Sequence, residues 1–202
     1  MSKEAIASTG KVLGALLYFP PQSESISALI PWLQGGEWVA EWPFLSAEAA
    51  SEAEHLFKKS VSYAESFDEA FQRLFVGPYA LPAPPWGSVY LDRESVIFGD
   101  STLKLREWMR QQGIEPQLAQ AEPEDHIGLM LMMSAWLADN SPDTLDVFLV
   151  EHLFPWSFRY LTLLEQGAKH PFYQAVALLT QKTLEGWQQD YVLPITAHEL
   201  FR

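Results

Sequence analysis

Residues 122–140, EPEDHIGLMLMMSAWLADN, decide the fold class. Pro123 stands where a first helical turn tolerates a missing N–H, and Asn140 falls near the end of the run. Between them Ile127, Leu129, Met130, Leu131, Met132, Met133, Trp136 and Leu137 leave almost no solvent-facing side. A segment apolar around most of its circumference predicts the central helix of an all-α core. In that setting Trp136, the methionines and the Trp156 region read as ordinary packing residues.

Helix signals recur on both sides of this segment, while the period-two alternation of strands is almost absent. Downstream, Ser141-Pro142-Asp143 reads as an N-cap with a first-turn proline and opens a helix to about His152. Pro155 starts another that ends near Gly167, and Pro171 opens the last, up to about Val192. Upstream, Ser101 is placed to cap a helix that carries Leu105 and Trp108 and stops at Gly113, a residue able to take the left-handed closing conformation. Ser66 and Glu69 form a Ser-x-x-Glu capping box ahead of Phe71, Leu74 and Phe75, in a helix that must stop before Gly77-Pro78. Segments from Ser23 to Leu33 and from Ser46 to about Ala64 add two more. A first amphipathic helix carrying Ile6, Leu13, Leu16 and Leu17 ends at Pro20-Pro21. The expectation is about nine helices in a single-domain all-α bundle over residues 1–202, with no internal repeat and no low-complexity tract.

Charge and composition exclude several functions. Thirteen basic against 26 acidic residues give a net charge of −13, a field that repels nucleic acid and anionic lipid and draws in basic partners. The chain has no cysteine, hence no disulfide and no thiolate nucleophile or metal ligand. Lys3 and Lys11 precede a short apolar run, Val12 to Phe19, but Glu4 and Pro20-Pro21 read against an export signal, and no run approaches a membrane span. The expected location is cytoplasmic.

Residues 71–100, FQRLFVGPYALPAPPWGSVYLDRESVIFGD, set aromatic side chains on a backbone that glycine and proline keep from being one helix. Such a segment either plugs its own core or lines a groove for an apolar guest. The length of the Gly77 to Asp100 connection favours a functional loop. The chain lacks dinucleotide-binding, phosphate-loop, zincin and nucleophile-elbow motifs, and its five histidines lie far apart. No catalytic residue, metal ligand or cofactor is expected. Glu122, Asp125 and His126 can meet on one side of a first helical turn, as a capping arrangement or as a polar site beside a groove. Asp92-Arg93-Glu94, followed by Phe98-Gly99-Asp100-Ser101, is an ion-paired turn, or a set of carboxylates able to receive a guest's arginines.

With these residues laid out, the chain resembles the TorD/DmsD family of redox-enzyme maturation chaperones, nearest its DmsD branch. The resemblance lies in RLFVGP (Arg73 to Pro78), PPWGSVYLDRES (Pro84 to Ser95), FGDSTL (Phe98 to Leu103), EPEDH (Glu122 to His126), HLFPWS (His152 to Ser157) and HPFY (His170 to Tyr173). It implies an all-helical, non-catalytic cytoplasmic chaperone, mostly monomeric, that binds the twin-arginine signal peptide of a molybdoenzyme. The implied client is the catalytic subunit of dimethyl sulfoxide reductase, held back from Tat export until it has folded and received its cofactor. Tat translocase components and molybdenum-cofactor biosynthesis proteins are implied as further partners. The family's binding residues fall on Leu74, Phe75, Pro85, Trp86, Gly87, Ser88 and Tyr90, and on Glu122, Pro123, Asp125 and His126. A guest's apolar run would lie on Phe75, Trp86 and Tyr90, and its arginines would meet Asp125, Glu122 or Asp92. Guanine nucleotide binding, linked to some relatives, has no phosphate loop here to support it. A dimeric structural adaptor, or a chaperone for a different related molybdoenzyme, is the alternative.

Overall fold

The computed structural model describes residues 3–115, 121–190 and 198–202, and helix supplies the regular structure among them. The α-helical segments are α1 (Lys3–Tyr18), α2 (Glu24–Ser27), α3 (Leu29–Gly35), α4 (Ala47–Ser60), α5 (Phe67–Phe71), α6 (Ser88–Leu91), α7 (Asp100–Gln111), α8 (Ile127–Asn140), α9 (Pro142–Phe148), α10 (Phe154–Ala168) and α11 (Pro171–Asp190). Wider π turns at Gln72–Val76 and Leu149–Leu153 prolong α5 and join α9 to α10, and Glu37–Ala40 forms a 3₁₀ turn. No helix among the described residues is long and apolar enough to cross a membrane.

All nine expected helices are present, and two departures from their outlines have plain causes. The Ser23 to Leu33 segment breaks at Ala28 into α2 and α3, because the ring of Pro31 would collide with the carbonyl of Ser27 in a continuous helix. Ser88–Leu91 adds a single helical turn inside the long connection. The capping box of Ser66 and Glu69 is formed in both directions, and Gly113 closes the α7 region at φ +69°. The expected end of the last helix near Val192 lies outside the described residues.

Three other boundaries moved. Helix α4 ends at Ser60 rather than near Ala64. Ser101 is not the N-cap of α7. That helix begins at Asp100, and its first-turn donors are met from a distance by Asp92, whose carboxylate accepts from the Ser101 N–H at 3.1 Å and the Ser101 hydroxyl at 2.8 Å. Pro123 does not open α8. The helix starts at Ile127 behind His126, whose Nδ1 accepts from the Gly128 N–H at 3.1 Å.

Helix α1 lies against α8 at unusually short range. A Cβ on Gly10 would stand 2.7 Å from the Leu131 carbonyl oxygen, and one on Gly14 would stand 2.7 Å from that of Gly128. Only glycine lets the two backbones approach this closely. Helix α11 packs on α4 and α10 and is buried along successive positions from Ala175 to Thr180. The hydroxyls of Thr180 and Thr183 donate back to Val176 O and Leu179 O at 2.7 Å, so their burial leaves no donor unsatisfied. Helix α8 is buried at nine of its 14 positions but not all round: Met130 and Met133 are core, while Trp136 is 45% exposed, which corrects the reading of Trp136 as an ordinary packing residue. Apolar content around a helix does not say which of its sides the neighbours cover.

Arg73 fastens the end of α10 to the start of the long connection. Its guanidinium pairs with both oxygens of Glu65 at 2.7 Å and donates to the Ala168 carbonyl at 2.7 Å. A fork of donors on the last carbonyls of a helix satisfies groups that have no partner inside it.

Candidate functional site

The two clusters singled out in the sequence meet. The Gly87 N–H donates to the Asp125 carbonyl at 3.1 Å, the Ile127 N–H donates to the Pro85 carbonyl at 2.8 Å, and Trp86 and His126 form an antiparallel bridge between them. Asp125 is the hinge of this junction. Its Oδ2 accepts from the Ser88 N–H at 2.7 Å and from the Thr102 hydroxyl at 3.0 Å. The residue is 4% exposed, and Oδ1 has no hydrogen-bond partner among the described residues. Burial raises its pKa above the ordinary carboxylate value, against the opposing pull of the Ser88 and Thr102 bonds.

On one side of the junction lies an aromatic and acidic face. The Trp86 indole donates to Glu122 Oε1 at 2.6 Å. The His126 ring stands edge-on to Trp86 and to Tyr18, with centroids 6.1 and 5.2 Å away. Burial pushes the His126 pKa from 6.5 down to about 3, so the ring is neutral. Burial, and then the Glu122 carboxylate, raise the pKa of Tyr18. Tyr18 was missed in the sequence, where it read only as the last turn of α1. The available signal was the pair Tyr18-Phe19 set directly before two prolines.

On the other side, a cavity of about 730 Å³ opens between α6, α7, the Leu149–Leu153 turn and α10. Leu91, Leu105, Trp108, Met130 and Trp156 give it apolar walls, and Asp92, Glu107, Asp125, Glu151 and Glu199 outnumber its single ammonium, Lys104. Gly87 is required at the rim, since a Cβ there would come within 2.9 Å of the Trp156 indole. His152 closes one end against Trp108, and burial lowers its pKa to about 4. Trp108, His152 and Glu151 carry no signal in the sequence that marks them for a site, and Trp156 reads there as core alone. It is both, being wholly buried yet one wall of the cavity.

The candidate residues therefore fall into three groups. Trp86, Glu122 and His126 form the aromatic face, and Gly87, Asp125 and Asp92 border the cavity. Leu74, Ser88 and Tyr90 are wholly buried, as are Pro85 and Pro123 nearly so, and they support the site from beneath. Phe75 packs on Phe71 and Tyr173, away from the cavity. Asp92 spends its carboxylate on Ser101, and Glu122 spends one oxygen on Trp86. The long connection is plug and wall at once: Ala83, Val89 and Tyr90 fill the core, with Tyr90 stacked on Trp156, while Trp86, Gly87, Leu91 and Asp92 line the site. No group of three metal-ligating side chains comes together among the described residues.

Comparison with known proteins agrees with this architecture. Residues 45–161 match the nitrate reductase delta subunit family. The chain is 48% identical to the Tat proofreading chaperone DmsD of Salmonella typhimurium over 203 positions, spanning 100% of this chain and 98% of that protein. It is 27% identical to the chaperone protein YcdY of Escherichia coli over 184 positions, 89% of this chain and 92% of that one. A redox enzyme maturation protein from Archaeoglobus fulgidus, known from its crystal structure, shares the fold with a TM-score of 0.57 over 89% of this chain and 93% of its own, at 17% identity. Identity to a chaperone along the whole chain makes this a chaperone rather than an enzyme. The chain belongs to the TorD/DmsD family of redox-enzyme maturation chaperones.

Proposed function

We propose that this chain acts in the cytoplasm, as one domain, to bind the twin-arginine signal peptide of a molybdoenzyme and withhold it from Tat export until the enzyme is folded and loaded. Identity to a Tat proofreading chaperone over the whole chain supports the class of function. The observation that carries the binding mode is the cavity beside Asp125. It joins tryptophan walls to a buried carboxylate whose Oδ1 has no partner among the described residues. A buried acceptor without a donor is costly, and an incoming guanidinium would satisfy it with a charge-assisted hydrogen bond. The apolar run that follows the arginines would lie on the aromatic face of Trp86 and Tyr18. The client we favour is the catalytic subunit of dimethyl sulfoxide reductase, and Tat translocase and cofactor-biosynthesis proteins are the further partners this role implies.

Calorimetric titration tests the reading. The protein is titrated with the dimethyl sulfoxide reductase leader, the same leader with both arginines changed to alanine, and an unrelated twin-arginine leader. Binding confined to the first supports a client-specific chaperone. Equal binding to all three refutes recognition of the arginines. Trp86→Ala and Asp125→Asn should each weaken binding about tenfold or more, on the scale of a lost charge-assisted bond or aromatic contact, and unchanged affinity in both would refute the site.

A further inference from the structure

The segment His198–Arg202 lies over the loop that carries the site and is held there by its backbone and its ends. The Phe201 N–H donates to the Tyr90 carbonyl at 2.9 Å, the Arg202 guanidinium donates to the Leu81 carbonyl at 3.0 Å, and the Arg202 carbonyl accepts from Arg159 Nε at 3.1 Å. Leu200 is seated against the core, and His198 and Glu199 form part of the cavity wall. Tyr90 belongs to α6, a helix too short to satisfy its own last carbonyls. The track beneath the segment therefore offers main-chain acceptors, an apolar seat and a cavity mouth, all on one path.

We propose that this track is part of the docking surface for the guest peptide and that His198–Arg202 is a displaceable strap occupying it in the unliganded chain. The inference rests on the chaperone reading above. The strap itself shows what chemistry the track accepts: a backbone N–H that donates to Tyr90, an apolar residue at the Leu200 seat, and a guanidinium within reach of a loop carbonyl. A twin-arginine leader carries the same elements in the opposite chain order, arginines before apolar residues, so it would run along the track in the reverse direction, and it cannot use the track while the strap is on it. The strap is lightly held. Phe201 is 37% exposed and Arg202 is exposed, so its few hydrogen bonds are open to competition from water and from a longer guest.

The full chain carrying Phe201→Pro and Arg202→Ala removes the N–H to Tyr90 and the guanidinium to Leu81. A labelled synthetic leader of the dimethyl sulfoxide reductase catalytic subunit, followed by fluorescence anisotropy, should bind this variant about five- to tenfold more tightly than the unaltered chain, because apparent affinity falls in proportion to the fraction of molecules with the track open. In the unaltered chain, amide exchange at Phe201 should be about five- to tenfold slower without leader than with it, set by the same open fraction. A leader that binds the unaltered chain while the variant gains nothing and the Phe201 amide stays protected overturns the strap and leaves the chaperone reading standing. A leader that binds neither chain overturns the chaperone reading, and this inference with it. If the double variant fails to fold, the exchange measurement on the unaltered chain alone decides.

Discussion

Replacing His126 by asparagine should remove a large part of the protein's sensitivity to mild acid. The His126 ring is 5% exposed, and its burial lowers the pKa from 6.5 to about 3. Protonation would also place a donor on Nδ1, the atom that accepts from the Gly128 N–H. Because the folded-state pKa lies below the unfolded one, the unfolded chain takes up a proton between these values that the folded chain refuses. Stability from this group is therefore complete above the ordinary histidine pKa and is lost as the pH falls from there toward about 3. The slope is on the order of 1 kcal/mol per pH unit, so acidification from about pH 7 to about pH 5 should remove roughly 2 kcal/mol through His126 alone. His152, lowered to about 4, and His170, also lowered by burial, act in the same direction and remain in the variant. Asp125, raised by burial, acts in the opposite direction at more acid pH and also remains.

Asparagine is itself a good N-cap, so the variant keeps the start of α8 but loses the ring contacts with Tyr18 and Trp86, at a cost of about 1 to 2 kcal/mol near neutrality. Urea unfolding across this pH range, read by tryptophan fluorescence, measures both chains. The stability gap between them should close or reverse by about pH 5. Parallel pH profiles for the two chains would refute the assignment of His126 as a buried neutral ring.

Other substitutions test the packing around the site. Gly87→Ala should destabilise by about 1 to 3 kcal/mol, since its Cβ meets the immobile Trp156 indole at 2.9 Å, and denaturant titration reads the loss. Arg73→Ala should cost about 1 to 3 kcal/mol by leaving Glu65 unpaired and the Ala168 carbonyl without its donor, and Arg73→Lys should recover less than half of it, because an ammonium cannot fork. Trp136→Ala should change stability by less than about 1 kcal/mol, in keeping with its exposure. A large loss of melting temperature in that variant would mean that the outer side of α8 is covered in solution.

Sequence reasoning reached the helices through signals that act within one turn: the Ser66 and Glu69 box, the Gly113 stop, the proline that opens α9. It went astray at two helix starts, one capped from nine residues away and one capped by a nearer residue than expected. Asp92 does the capping expected of Ser101, and His126 takes the helix start expected of Pro123. The break at Ala28 was legible in principle, because Pro31 forbids a continuous turn. The polar half of the site was named from Glu122, Asp125, His126 and Trp86, whose grouping in two short motifs is visible in one dimension. The cavity was not, since its walls come from α7, α10 and the Leu149–Leu153 turn, and a tryptophan that fills a core and one that lines a cavity look the same in sequence.

What the sequence determined by itself was the all-helical class, the absence of thiol chemistry, the acidic field and the family motifs, because these depend on composition and on neighbours a few residues apart. Tertiary structure alone decided that Asp125 would be buried with one oxygen unpartnered among the described residues, that Leu74 and Tyr90 would support the site rather than face it, and that Trp136 would face outward. Those outcomes turn on which side of each helix its neighbours cover and on hydrogen bonds between segments far apart along the chain, such as Ser88 to Asp125 and Phe201 to Tyr90. Neither leaves a periodic trace in the residues concerned.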